Sequence, residues 1–142
     1  MKLLLISLKN SKTKMNQRLI DRTLSIAKAL CPLNMDARCS HIAFLIKDGV
    51  IQHIGLNNYN KTHPITLKFP YHAGKVGLHA ETSAVLKSGK ENLNGYIMAV
   101  YRIDRNGILN SSKPCMGCQS LIKKCGIKTV YYSDANSNIK TL

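Results

Sequence analysis

The sequence is poor in aromatic and acidic residues. It has no Trp, and aromatic residues make up 6% of its 142 residues. Proteins that bind single-stranded nucleic acid stack successive bases on aromatic side chains. The shortage of aromatic residues therefore argues against an extended surface that binds single-stranded DNA or RNA. Only 7 acidic residues accompany 21 Lys and Arg, which gives a formal net charge of +14. This excess favours an anionic partner such as a nucleotide or nucleic acid. A lysine-rich amino-acid composition that has no role in binding explains the excess equally well.

Long apolar runs are also absent. Residues 3–6 are apolar, but this run is too short for the core of a signal peptide, and no small-residue cleavage site follows it. No other stretch reaches the length that a bilayer requires. We therefore expect a soluble, cytoplasmic protein without a membrane partner. Its 5 Cys residues are then expected to stay reduced and to serve in metal binding or in the core.

Apolar periodicity and turn signals predict the secondary structure of a chain whose length fits one domain. An amphipathic helix is predicted over residues 16–30, before Pro32. Its buried face carries Ile20, Leu24, Ala27 and Cys31. The later elements are a hairpin of strands 41–47 and 50–56 turned at Asp48-Gly49, a helix over 79–86, a buried central strand over 96–101, a turn at Asn106-Gly107, a helix over 114–125 closed by Gly126, and a strand over 127–132. This order predicts an α/β domain with a mixed sheet flanked by helices.

Two short motifs carry the chemistry. One is His79-Ala80-Glu81, and the other is Pro114-Cys115-Met116-Gly117-Cys118. Together they match H-x-E followed by P-C-x-x-C, the signature of zinc deaminases. Their chance co-occurrence in a chain of this composition is on the order of one in a thousand or rarer. Glu81 is one of only two glutamates in the chain, so abundance does not explain its position.

The predicted zinc ligands are His79, Cys115 and Cys118. Three protein ligands leave the fourth tetrahedral position open for water, whereas four ligands close a structural site. Zinc lowers the pKa of bound water toward about 7, which supplies the nucleophile that attack on cytosine C4 requires. The two cysteines are three residues apart, so their sulfurs lie on one side of the first turn of a helix. The exposed N–H groups of that turn favour thiolates, and Pro114 suits the start of the helix.

Glu81 is the predicted proton shuttle. It is expected to take a proton from the water, to protonate the ring nitrogen N3 and to pass a proton to the departing amine. Positions i and i+2 of a regular helix point roughly 200° apart. His79 is therefore expected at the non-helical edge of its helix, unless the substrate lies between the two side chains.

A closed structural zinc site needs a fourth ligand. Cys125 lies on the same predicted helix as Cys118, about 10 Å further along the axis, which is too far to share a zinc ion. His72 in the polar segment over residues 57–77 is the other candidate for that role. Core or near-surface positions are the expectation for the other cysteines and histidines, namely Cys31, Cys39, Cys125, His41, His53 and His63.

The two motifs resemble those of the cytidine and deoxycytidylate deaminase superfamily, and the similarity extends over residues 37–133. A hairpin before the first motif and a strand between the two motifs agree with it. The resemblance implies a three-layer α/β/α fold with a mixed sheet of about five strands, zinc as cofactor and a homo-oligomer. It also implies substrate contacts by Asn57, by the backbone N–H of Ala80, by Ser112 and by Tyr132.

The chain departs from the superfamily pattern in two places. Lys113 precedes the second motif, where another residue is more usual, and this changes the contacts expected just before that motif. The chain also ends soon after its last predicted strand, so any further strand there is expected to be brief. We expect a single deaminase domain over residues 1–142, with an N-terminal extension and first helix in 1–36 and the catalytic core in 37–133.

The leading hypothesis is hydrolytic deamination of a cytosine nucleotide, dCMP or CMP, to the uracil nucleotide with release of ammonia. A long polar loop inside a compact domain is usually functional. In the loop over residues 57–77, Lys61, Lys68 and Lys75 are the candidate phosphate contacts. One alternative, which the net charge supports, is deamination of a base within tRNA or single-stranded DNA. A further alternative is a zinc-stabilised binding module without turnover.

Overall fold

The computed structural model of the chain describes residues 14–31, 39–58, 64 and 77–142. Within these residues the chain forms three α-helices and six β-strands. Their bounds are α1 Gln17–Leu30, β1 Cys39–Lys47, β2 Val50–Leu56, α2 Ala80–Ser88, β3 Ile97–Asp104, β4 Leu109–Asn110, α3 Met116–Lys124, β5 Thr129–Ser133 and β6 Ile139–Thr141. The order of the predicted elements is confirmed, and two short strands, β4 and β6, are added to it.

The strands of the described residues form one mixed sheet in the order β2-β1-β3-β5-β6, and β4 pairs with β3. β1 is antiparallel to both β2 and β3, whereas β3 is parallel to β5. The predicted hairpin is confirmed, since Asp48 and Gly49 have φ values of 52° and 76° and join adjacent antiparallel strands. β3 lies at the centre of the sheet, as its continuous apolar run predicts.

Helices cover both faces of the sheet. α1 packs against one face, where Leu19 and Ala27 join a cluster that includes Phe44 and Tyr101. The hydroxyl groups of Thr23 and Tyr101 lie 2.7 Å apart and form a hydrogen bond across this layer. α2 and α3 pack against the opposite face through a second apolar cluster. The predicted three-layer α/β/α architecture is therefore confirmed.

α1 is amphipathic, and at 14 residues it is the longest helix described. Its N-cap is Asn16, whose side-chain oxygen accepts a hydrogen bond of 2.8 Å from the backbone N–H three residues later. Cys31 at its end is buried, and Ile20 and Leu24 pack at the margin of the same core, so the predicted apolar face is confirmed. Pro32 lies outside the described residues. None of the described helices has the length and apolarity needed to cross a membrane.

The two short strands, β4 and β6, are too short to be predicted from an alternation of apolar and polar residues. β4 has two residues, which are too few to give a recognisable alternation, and it lies outside the predicted elements. The Asn106-Gly107 turn before it is confirmed, since Gly107 has a φ of 76° and its N–H donates to the carbonyl of Asp104. β6 has three residues and fits the expectation of only a brief strand after residue 133.

Gly55 in β2 allows α2 to approach the sheet closely. A Cβ atom at this position would overlap the carbonyl oxygen of Ala80 and the backbone nitrogen of Ala84. Because both atoms belong to the backbone of α2, no side-chain movement removes the overlap. Gly55 therefore sets the distance between β2 and α2, whose N-terminal end carries His79 and Glu81.

Candidate metal centre and active site

Two helix N-termini meet at the candidate metal centre. His79 is the N-cap residue of α2 and Cys115 is the N-cap residue of α3, and both have an extended backbone, with ψ values of 153° and 167°. The helices therefore begin one and two residues later than predicted, and Pro114 precedes the N-cap of α3 rather than opening the helix. Neither N-cap side chain caps its own helix. This geometry fulfils the expectation that His79 lies at the non-helical edge of α2.

The three predicted ligands are close together. Nδ1 of His79 lies 3.4 Å from Sγ of Cys118 and 3.7 Å from Sγ of Cys115. A tetrahedral zinc ion, with bonds of about 2.3 Å to sulfur and about 2.0–2.1 Å to nitrogen, would place such atoms about 3.6 Å apart. All three ligand atoms lie within 4.8 Å of one another, and no fourth His, Cys, Asp or Glu of the described residues joins the group. The cluster is positioned to bind a metal ion and leaves a coordination position that these residues do not fill.

The chemistry of the donor set also fits zinc. Cys118 is buried, and its contact with the Cys115 thiol and its burial raise its pKa far above the ordinary range of a thiol. A bound cation reverses this effect, because its charge stabilises thiolates directly. The N-terminus of α3 adds partial positive charge at the same point. One imidazole and two thiolates are ligands that zinc accepts in sites with an open position.

Glu81 lies in the first turn of α2, two residues after His79. It is 5% exposed, and burial raises the pKa of its carboxyl group, while its own backbone N–H, His79 and the Cys118 thiol act in the opposite direction. Glutamate is rarely buried to this extent without a specific partner. Glu81 and the ligands His79 and Cys115 line one pocket, so a carboxyl group stands beside the metal centre.

The pocket has a volume of about 310 Å³, within the range of small-molecule sites. One wall consists of the helix ends, with His79, Ala80, Glu81 and Cys115. A second wall is the loop before α3, which includes Ser112. Its size and its position against the ligand cluster suit a ligand of the size of a nucleotide.

A row of residues at or just beyond the ends of three neighbouring strands forms the third wall. His41 of β1 pairs with Arg102 of β3 in the antiparallel register. Asn57 follows β2, and its side-chain oxygen accepts a hydrogen bond of 2.9 Å from the backbone N–H of His41. All three residues line the pocket, and we call them the strand-end row. Asn57 is a predicted substrate contact, whereas no motif marks His41 or Arg102, because only strand pairing brings them beside the metal ligands.

The imidazole of His41 is neutral near pH 7. Burial, followed by the charges of Arg102 and His79, lowers the pKa of His41 to about 4. The strand-end row therefore carries one permanent charge, that of the Arg102 guanidinium group. His41, for which an ordinary surface or core position was expected, lies in the wall of the pocket and outside the metal-ligand group.

Ser112 is tied into the sheet. Its hydroxyl donates a hydrogen bond of 2.7 Å to the carbonyl oxygen of Val100 and accepts one of 2.8 Å from the backbone N–H of Ser133. Ser112 is 3% exposed. These bonds join the loop before Cys115 to β3 and β5. The structure thus shows an anchor for the metal-binding loop, and a base contact by this hydroxyl stays a prediction.

The remaining predicted residues lie away from the pocket or outside the described chain. Tyr132 in β5 is half-buried and is not among the described residues that line the pocket, so its stacking role stays a prediction. Cys125 is buried in the core and stands outside the ligand group, as expected. His53 lies half-buried in β2. The side chain of Cys39 and the whole of Lys61, His63, Lys68, His72 and Lys75 lie outside the part of the structure that is described.

Sequence comparison identifies the family. The family model described as "Cytidine and deoxycytidylate deaminase zinc-binding region" matches residues 13–134. The chain belongs to this family. The match includes both motifs and every described strand except β6. Zinc is the cofactor of this deaminase domain, and His79, Cys115 and Cys118 are the residues positioned to bind it. No curated protein sequence matches the chain significantly.

Solved structures show the same fold at low sequence identity. The dCMP deaminase from the cyanophage S-TIM5 in complex with dCMP and dUMP has a TM-score of 0.60 and 22% identity, with 86% of this chain and 85% of that chain covered. Its apo form has a TM-score of 0.56 and 22% identity, with coverages of 85% and 86%. The cytidine deaminase from Burkholderia pseudomallei has a TM-score of 0.56 and 15% identity, with coverages of 90% and 92%. These similarities support the cytidine deaminase-like α/β fold.

Proposed function

We propose that the protein hydrolyses the exocyclic amino group of a cytosine nucleotide, dCMP or CMP, and releases the uracil nucleotide and ammonia. The main support is that a three-ligand metal cluster and the buried carboxyl group of Glu81 border one pocket. Family membership supports deamination as the reaction. The similarity to a cyanophage dCMP deaminase, whose structure holds dCMP and dUMP, favours a nucleotide as the substrate.

Glu81 performs the proton transfers in this proposal. His79, Cys115 and Cys118 would hold the zinc ion, which would supply the chemistry that hydrolysis at C4 needs, the acidification of the attacking water. Glu81 accepts a proton from this water and donates it to N3 of the base, which makes C4 more electrophilic. After the water oxygen has added to C4, Glu81 carries the second water proton to the amino group. The C4–N bond then breaks, the N3 proton remains on uracil, and ammonia leaves.

The N-terminus of α2 and the end of β2 orient the substrate. The first N–H groups of a helix have no partner within the helix. In α2 the first backbone bond is that of Ser83, whose N–H donates to the carbonyl of His79 at 2.9 Å. The N–H of Ala80 is therefore proposed to bind the carbonyl oxygen of the base. Asn57, fixed by the backbone of His41, is proposed to contact the sugar.

A screen of ammonia release by the zinc-loaded protein tests this function. The substrates are dCMP, CMP, deoxycytidine, and a short single-stranded oligonucleotide that contains cytosine. We expect a nucleotide to have the highest kcat/KM. Ammonia release from none of them would contradict the proposal, and release from the oligonucleotide alone would replace it with the nucleic-acid alternative.

Deamination within nucleic acid is the second candidate, and the net charge of +14 favours it. Binding that neutralises several phosphates weakens steeply as salt concentration rises. Turnover of a mononucleotide is expected to depend only weakly on salt. A steep dependence of KM on salt, measured between about 50 and 200 mM, would favour the polymer.

The expected cytoplasmic location and the expected homo-oligomer are proposals separate from the reaction. Among the described residues, the buried Cys31 and Cys125 form no disulfide, which fits a reducing compartment such as the cytoplasm. The homo-oligomer and the division into 1–36 and 37–133 stay predictions. Light scattering of the purified protein measures its oligomeric state. A monomer at all concentrations would contradict the predicted homo-oligomer.

A further inference from the structure

Arg102 occupies a position in the pocket that the proposed reaction does not yet use. It pairs with His41 of β1 on one side and with Asn110 of β4 on the other. Alternate residues of a strand lie on the same face of the sheet, so Arg102 shares the face of Val100, which belongs to the core beneath α2 and α3. Arg102 lines the same pocket as the ligands His79 and Cys115.

The Nε–H group of Arg102 has no acceptor within the described part of the chain. This atom is buried and forms no hydrogen bond there. Arginine is seldom buried unless it is paired, because a buried donor without an acceptor is destabilising. This one atom is shielded from the pocket, whereas Arg102 as a whole is half-buried and lines the pocket, so the charge of its guanidinium group is available to an occupant.

The carboxylate nearest in sequence, Asp104, is already engaged. One of its oxygens accepts hydrogen bonds of 2.9 Å from the N–H groups of Asn106 and Ile108, and the other accepts the side-chain amide of Asn110 at 3.2 Å. The N–H of Ile108 is the largest of the effects that lower the pKa of Asp104, and the charge of Arg102 is the smallest. Asp104 forms no salt bridge with Arg102, since the one ion pair found within the described residues joins Lys140 to Asp134.

The other charges of the pocket leave this cation uncompensated at the strand-end row. Glu81 is the only acidic residue among the described residues that line the pocket, and it stands beside the metal ligands. Lys113 adds a second cation from the loop before α3. The pocket thus places two cationic side chains, Arg102 and Lys113, in the same cavity as the candidate metal centre.

We propose that Arg102 binds the phosphate group of the substrate and makes the enzyme select a cytosine nucleotide over the nucleoside. This inference rests on the proposed function and assigns its phosphate site to β3. The planar guanidinium group matches two phosphate oxygens at once, which gives strong and directional hydrogen bonds. Lys113 contributes as a point charge at the rim. The strand-end row is thus proposed as an anion site, and phosphate contacts by Lys61, Lys68 and Lys75 stay predictions, since these residues lie outside the described part of the chain.

The test compares the wild-type holoenzyme with Arg102→Ala, Arg102→Gln and Arg102→Lys. The dissociation constant of the product dUMP is measured by titration calorimetry, with deoxyuridine as the ligand without phosphate. We expect Arg102→Ala to weaken dUMP binding about 10- to 100-fold and to reduce the ratio of kcat/KM for dCMP over deoxycytidine by a similar factor. Arg102→Lys is expected to restore part of both losses. Arg105→Ala is the matched control, because Arg105 is an exposed residue of the turn after β3.

The outcomes separate this inference from the proposed function. Weaker binding of dUMP and deoxyuridine by the same factor, with zinc retained, would overturn the phosphate assignment and leave deamination standing. Unchanged dUMP binding in Arg102→Ala would overturn it as well. Loss of activity in Arg102→Ala with the cytosine oligonucleotide, but not with dCMP, would overturn the assignment and place Arg102 at a phosphodiester instead.

The deaminase function is tested separately. Wild-type protein that binds dUMP through Arg102 yet releases no ammonia would support the anion site and refute the deaminase function. Melting temperature and zinc content show which of the three variants is folded, and the folded ones decide the result.

Discussion

The two sides of the pocket arise in different ways. The metal side is built from two short motifs, each at the N-terminus of a helix, so the neighbours along the chain are also neighbours in the site. The strand-end row is built from Asn57, His41 and Arg102, which three different strands bring together. Local sequence therefore encodes the reactive groups, whereas the pairing of the sheet supplies the wall that faces the rest of the substrate.

The difference also separates chemistry from selectivity. The metal side holds the ligands and Glu81, the groups that hydrolytic deamination by a zinc deaminase needs. The strand-end row holds a neutral imidazole and a guanidinium group, and both residues line the pocket, where they are suited to recognising a substrate. Changes on the metal side are expected to abolish turnover of every substrate, and changes in the row to alter which substrate is preferred.

The largest effect is expected from breaking the metal side at Cys118. Cys118→Ser removes a thiolate ligand, so we expect loss of zinc and a lower melting temperature. Activity is expected to fall more than about 100-fold, because mutating a residue that only hydrogen-bonds to a metal ligand already costs up to about that factor. Zinc content by atomic emission and ammonia release measure the effect. Cys125→Ser places the same substitution at a buried thiol outside the cluster and is expected to retain zinc. Full zinc occupancy in Cys118→Ser would refute the assignment.

Gly55→Ala tests how the metal side is placed against the sheet. The added methyl group would overlap the backbone of Ala80 and Ala84, so α2 must move away from β2. We expect a loss of about 3 kcal/mol in the free energy of unfolding, as in strongly overpacked cores, together with weaker zinc binding. Gly89→Ala is the comparison, because the added atom there meets open space and only its φ of 63° is strained. Equal effects in the two variants, measured by chemical denaturation, would contradict the role of close approach.

A smaller effect is expected at Ser112, which joins the loop before Cys115 to β3 and β5. Ser112→Ala removes the hydroxyl that bonds to Val100 and leaves the N–H of Ser133 without its side-chain acceptor. A loss of about 1–2 kcal/mol in unfolding free energy follows from a buried unsatisfied group. Ser120→Ala at an exposed serine is the control and is expected to change stability by less than about 0.5 kcal/mol. If Ser112→Ala changed KM severalfold without changing stability, Ser112 would contact the substrate as predicted from the family resemblance.

Much of the fold follows from the sequence, because its signals are local. The Asp48-Gly49 turn, the buried run of β3 and the amphipathic face of α1 each occupy a few consecutive residues. The helix starts are shifted because His79 and Cys115 keep an extended backbone at the helix ends. The motifs predict the metal ligands for the same reason, since residue type and spacing are fixed by the ion.

The rest of the site depends on contacts between distant segments, which no short pattern records. Arg102 reaches the pocket because β3 is antiparallel to β1 and pairs it with His41. Gly55 matters because a helix that begins at residue 80 lies against it. Ser112 is marked by its place before a motif, yet its hydrogen bonds to β3 and β5 become visible only when the sheet is assembled.

The central claim is that an open zinc site and one carboxyl group perform hydrolysis, and Glu81→Gln tests it most directly. Zinc content and the rate of ammonia release from dCMP are measured together for this variant and the wild type. The account predicts that the variant retains its zinc and loses at least about 100-fold and up to about 10,000-fold in rate, as expected when a group that transfers protons is removed. A variant that releases ammonia as fast as the wild type, or a wild type that binds zinc and releases no ammonia from any cytosine substrate, would contradict the claim.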